Sequence, residues 1–108
     1  MFTASDNKGF SITFKNGNTV SVQWGPGNYC DPEHIEGRNA PFDAPRNART
    51  WKARSAEVAA WNSEGAWHQF ENDSVDGWLT ADEVSAFIHF VATSELQTKR
   101  RPLDDDEE

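Results

Sequence analysis

Two glycines and a cluster of cations form the most chemically suggestive pairing in this chain. The run Gly25-Pro26-Gly27-Asn28-Tyr29-Cys30 is short and glycine-rich, and Arg46, Arg49, Lys52 and Arg54 follow it around Trp51. Glycines let backbone N–H groups approach a ligand closely and form a nest for an anion, while guanidinium forks grip phosphate oxygens two at a time. An aromatic ring at Trp24, Tyr29 or Trp51 would stack a base. The candidate ligand-binding set is therefore Trp24, Gly25, Gly27, Asn28, Tyr29, Arg46, Arg49, Trp51 and Arg54. The same residues also fit a plain strand exit and a surface whose arginines balance nearby acids. The glycine run alone is unspecific, and only its combination with the arginines points to binding.

Two other groupings offer metal or acid-base chemistry. Asn72-Asp73-Ser74-Val75-Asp76-Gly77-Trp78-Leu79-Thr80-Ala81-Asp82-Glu83 resembles a twelve-residue calcium loop, with Gly77 at the sixth place and Glu83 at the twelfth. Asn72 stands where an aspartate is usual, Gly65 interrupts the segment that would be the entering helix, and no second loop pairs with this one. Cys30 with Asp31, Glu33 and His34 would make a nucleophile corner or part of a metal site, but no second CxxC or HxxxH completes it. His68 and His89 stand alone. No catalytic constellation emerges, so the expectation is a binding protein, not an enzyme, with no cofactor and no metal.

The elements that must position these residues are legible in part. Phe10, Ile12 and Phe14 alternate with polar residues, as do Val20, Val22 and Trp24, which predicts two strands of a hairpin. A two-residue Asn16-Gly17 turn would set apolar residues opposite polar ones. A three-residue loop, Lys15-Asn16-Gly17, instead pairs Ile12 with Val20 and Phe10 with Val22, with Gly17 in the left-handed conformation of a bulge. The longer loop is the one expected. Residues 25–54 lack a period and contain Pro26, Pro32, Pro41 and Pro45, so they form a long loop.

Beyond that loop, Ala56, Val58 and Ala60 mark a third strand, Asn62 to Gly65 a turn, and Ala66 to Phe70 a fourth strand. Thr80 as N-cap with Glu83 makes a capping box, and Leu79 staples onto Val84. Val84, Phe87, Ile88 and Val91 then form one apolar stripe, giving a helix over Ala81 to Ala92. The expected fold is α+β: a four-stranded antiparallel sheet of two hairpins, ββββα in order, with the C-terminal helix on one face. Residues 1–97 make a single domain, and 98–108 a disordered acidic tail.

Composition bounds what such a fold can do. The net charge of −8 is concentrated, since Asp104, Asp105, Asp106, Glu107 and Glu108 supply five of the eighteen acids. Residues 38–54, by contrast, carry five bases against Asp43 alone. Five tryptophans among 108 residues supply large buried areas, which argues for a folded domain that a partner subunit would help stabilise. One cysteine, Cys30, permits no internal disulfide and suits a reducing compartment. The opening Met-Phe-Thr-Ala-Ser-Asp has no signal-peptide pattern, and no run reaches membrane-spanning length.

Gly9-Phe10, Thr13-Phe14, Asn16-Gly17 and Val20-Ser21-Val22-Gln23-Trp24-Gly25-Pro26-Gly27-Asn28-Tyr29-Cys30, with the later Ala56-Glu57-Val58-Ala59 and Gly77-Trp78-Leu79-Thr80-Ala81-Asp82-Glu83-Val84, resemble a family of small bacteriophage accessory proteins. The likeness covers roughly residues 8–92. It implies an early-type accessory protein in the cytoplasm of an infected host, and it carries no activity across. Together with the candidate site, it gives the expectation of a non-catalytic protein that counters host defence by sequestering a nucleotide-type signal, with the open sheet face left for a homodimer. An acidic, DNA-mimic-like inhibitor of a host nuclease or DNA-binding protein is the alternative, ahead of a calcium module or a virion component. The partner is then a nucleotide-type small molecule or a host defence protein. No direct nucleic-acid binding and no membrane contact are expected.

Overall fold

The structure is a computed structural model, and it describes residues 1–4, 9–25, 53–71 and 73–98. Five strands, β1 (Phe2–Ala4), β2 (Gly9–Thr13), β3 (Thr19–Gln23), β4 (Ala56–Trp61) and β5 (Asp76–Leu79), precede one helix, α1 (Ala81–Thr93). The strands form a single antiparallel sheet in the order β1-β2-β3-β4-β5, each beside its neighbour in sequence. The helix lies on one face.

The β2–β3 hairpin has the longer loop that its side-chain pattern demands. Phe10 pairs with Val22 and Ile12 with Val20, so one face is apolar throughout. Past Thr13 and Thr19, the Phe14 N–H donates to Asn18 O at 2.8 Å, leaving Lys15, Asn16 and Gly17 as the loop. Gly17 has φ +92°, a left-handed conformation that costs a residue with a Cβ about 1–2 kcal/mol.

The core forms where this face meets the helix. Val20, Val22, Ala56, Val58 and Ala60 from the sheet are buried with Val84 and Val91 from α1 and with Leu96 beyond it. Burying one such valine fully contributes about 1.5–3 kcal/mol. Ile12, Phe14, Phe87, Ile88 and Phe90 pack around this centre.

Two corrections to the sequence-based expectation concern the strands, which number five, not four. Phe2–Ala4 is an edge strand on β2, with Phe2 opposite Ile12, although three residues are too few to show a period. The stretch Ala66 to Phe70 is not the fourth strand. It makes a single bridge, Trp61 to Trp67, and one bond from His68 N–H to Ala60 O at 2.8 Å before leaving the sheet. Its inward residues, His68 and Phe70, pack instead against Phe87 and Phe90 of the helix. The last strand is Asp76–Leu79, whose register on β4 shifts between Ala56 and Val58. Trp78, 56% exposed, sits there at φ +57°, an uncommon conformation for a bulky residue.

The helix begins as its sequence dictates. Thr80 Oγ1 accepts from Glu83 N–H at 3.2 Å, and Glu83 Oε1 accepts from Thr80 N–H at 2.8 Å, closing the capping box. Its other end has no glycine and no basic residue in the last turn, so the final carbonyls need donors from elsewhere. They find them on the hairpin loop, 73 to 76 residues away in sequence. Asn16 Nδ2 donates to Val91 O at 3.0 Å and Ala92 O at 3.1 Å, while Asn18 Nδ2 donates to Val91 O at 3.1 Å and Ser94 O at 2.9 Å. Asn18 N–H bonds Asn16 Oδ1, which orients the pair. Asn18 is 6% exposed.

Candidate functional site

The register that pairs Gln23 with Glu57 decides what stands beside the strand exit. Antiparallel pairing places the residues after Gln23 next to those before Glu57, so Trp24 and Gly25 come alongside Ala56 and Ser55, with Arg54 next to Ser55 in the chain. Gly25 is buried at φ +100°, which turns the chain out of β3 in a conformation that glycine adopts without strain. Three members of the sequence-derived set, Trp24, Gly25 and Arg54, thus gather at one end of the sheet.

The side chains of Trp24 and Arg54 border a cleft of about 280 Å³. Phe10 and Val22 reach it from the hairpin, Trp24 from the strand exit, and Arg54, Ser55 and Ala56 from the start of β4. Leu79 from the end of β5, and Ala81 and Val84 from the beginning of the helix, complete it. The Phe10 and Trp24 rings meet edge to face, with centroids 6.3 Å apart and planes at 71°. Trp24 is half-buried and Arg54 exposed. Such a space would receive a flat apolar ring beside Trp24 and leave an anion on that ring within reach of a guanidinium.

Arg54 is exposed at the border of the cleft. The positive end of the helix dipole, in contrast, is already used: the Thr80–Glu83 box satisfies an N–H there, and Asp82 and Glu83 add negative charge in the first turn. An anion at this cleft depends on Arg54 and on the strand exit, not on the helix.

The remaining members of the expected set, Gly27, Asn28, Tyr29, Arg46, Arg49 and Trp51, lie outside the described residues, as do Cys30, Asp31, Glu33, His34 and the acidic run from Asp104. Sequence reasoning missed the walls of the cleft. Phe10, Val22, Leu79 and Val84 read as core residues because their spacing is that of core residues, and only the tertiary arrangement leaves a space between them.

The calcium-like stretch takes a different form. Asp76, Gly77 and Trp78 belong to β5, and Glu83 Oε1 is engaged with the Thr80 N–H. Asn72 lies outside the described residues. Among those described, no three of the histidines, cysteines and acidic residues cluster so as to hold a metal ion.

His68, an isolated histidine in the sequence, is 8% exposed within a ring cluster of Phe70, Phe87 and Phe90. Its Nδ1 accepts from Gln97 N–H at 3.0 Å, and Gln69 N–H returns a bond to Gln97 O at 2.7 Å. An accepting Nδ1 requires a neutral ring with its proton on Nε2. Burial accordingly holds the His68 pKa below its ordinary value.

Compared with protein-family models, with curated proteins and with solved structures, the chain matches none. No helix among the described residues is long and apolar enough to cross a membrane.

Proposed function

We propose that this protein is a non-catalytic capture protein of the phage accessory kind, which counters a host defence by sequestering a nucleotide-type signal in the host cytoplasm. One observation carries the reading: Trp24 and Arg54, thirty residues apart in sequence, border the same largely apolar cleft at the end of the sheet. A base entering that cleft loses apolar surface to Trp24, Leu79 and Val84, and its phosphate meets a guanidinium. The sequence supplies further donors for this role in Gly27, Asn28, Arg46 and Arg49, and further stacking rings in Tyr29 and Trp51.

The role proposed is capture without turnover. Binding energy there stabilises the ligand as it stands. Calorimetry against a panel of nucleotides and cyclic oligonucleotides tests the proposal, with binding that weakens in Trp24→Ala as the expected result. Heats indistinguishable from dilution across the whole panel would remove it.

The rival reading, an acidic inhibitor of a host nuclease or DNA-binding protein, draws on the five consecutive acids Asp104 to Glu108. Under that reading, deleting these five residues or raising the salt concentration weakens a host complex, whereas Trp24→Ala leaves it intact.

A further inference from the structure

The size and polarity of the cleft narrow the ligand class beyond the capture reading on which this inference rests. At about 280 Å³ the space lies just under the range of pockets that enclose whole drug-sized ligands, roughly 300–1,000 Å³. It holds one ring system. A second nucleotide of a cyclic or linear dinucleotide would remain outside it.

The walls then decide which ring is chosen and how it is read. Phe10, Val22, Ala56, Leu79 and Val84 present carbon to the interior, so a base edge finds few hydrogen-bond partners among them. Discrimination by hydrogen bonding, the means by which guanine is told from adenine, is therefore weak, while stacking and shape remain. A larger ring covers more of Trp24 than a smaller one, which favours purines over pyrimidines. Arg54, exposed and bordering the cleft, marks the side on which the phosphate emerges.

Arg54 is the cation among the described lining residues. We propose that the cleft takes one purine nucleotide, ring inward against Trp24 and phosphate outward on Arg54, and that it distinguishes purine from pyrimidine but not adenine from guanine.

The test is calorimetry on the full chain with AMP, GMP, CMP, adenosine and a cyclic dinucleotide, repeated on Arg54→Gln. The expected pattern is AMP and GMP within about threefold of each other, since stacking is tolerant of base identity, with CMP about tenfold weaker because its smaller ring covers less of Trp24. Arg54→Gln should weaken AMP about tenfold and leave adenosine unchanged, as loss of one charge-assisted pair predicts. Because Arg54 is exposed, a folding failure is not the expected cause of any loss, and an unchanged thermal midpoint verifies this. A cyclic dinucleotide that binds while AMP does not would overturn this inference and leave the capture reading standing. Preference for AMP over GMP by thirtyfold or more, or an Arg54→Gln variant that binds AMP normally, would also overturn it. No binding by any ligand in the panel would remove both.

Discussion

The two ends of helix α1 are finished in opposite ways. At the C-terminal end, polar side chains from distant segments converge on the backbone: Asn16 and Asn18 bond the carbonyls of Val91, Ala92 and Ser94, and His68 accepts from Gln97 just beyond. At the N-terminal end the helix caps itself through Thr80 and Glu83, and the apolar residues around it, Leu79 and Val84, border the cleft. One end spends its side chains on holding the fold together. The other borders a cleft with apolar side chains, an indole and a guanidinium.

The largest expected effect comes from breaking the locked end. Asn18→Ala removes two hydrogen bonds, one to the buried Val91 carbonyl and one to the half-buried Ser94 carbonyl, and should cost about 2–3 kcal/mol, read as a lowered urea midpoint. Thr80→Ala removes one exposed capping bond and should cost about 1 kcal/mol in the same measurement. If the two variants cost the same, the contrast between the ends is lost.

A smaller effect is expected from pH. Because the folded protein holds His68 neutral, the unfolded chain takes up the proton first as the solution is acidified. The contribution is therefore fully present above the ordinary histidine pKa of 6.5, and it falls away as the pH drops from there to the lower folded value. Thermal midpoints measured between pH 7 and pH 5 should decline, and His68→Gln, which keeps an acceptor but does not titrate, should reduce that decline. Equal slopes in the two proteins would show that His68 is not the group responsible.

The same contrast explains what the sequence could disclose. The hairpin register, the Gly17 bulge and the capping box rest on residues within five places of each other or on strict alternation, so local pattern sufficed for all three. The Asn16 and Asn18 clasp did not show, because their partners lie more than seventy residues away and asparagine beside glycine already reads as a turn. The misplaced fourth strand has a related cause. His68 and Phe70 do alternate inward, but toward the helix and the Gln97 segment, and Asp76-Gly77-Trp78-Leu79 resembles a turn more than a strand. At the candidate site, residue types alone marked Trp24, Gly25 and Arg54, whereas Leu79 and Val84 reach the cleft only through tertiary packing.

The most direct test of the division between the two ends is an ¹H–¹⁵N NMR titration of the full chain with AMP. Shifts are expected at the Trp24 indole N–H and at the amides of Ala56, Leu79 and Ala81, with Asn18, Gln97 and the Trp67 indole unmoved. Shifts centred on Trp61 and Trp67, or on the Asn16–Asn18 loop, with Trp24 silent, would contradict it.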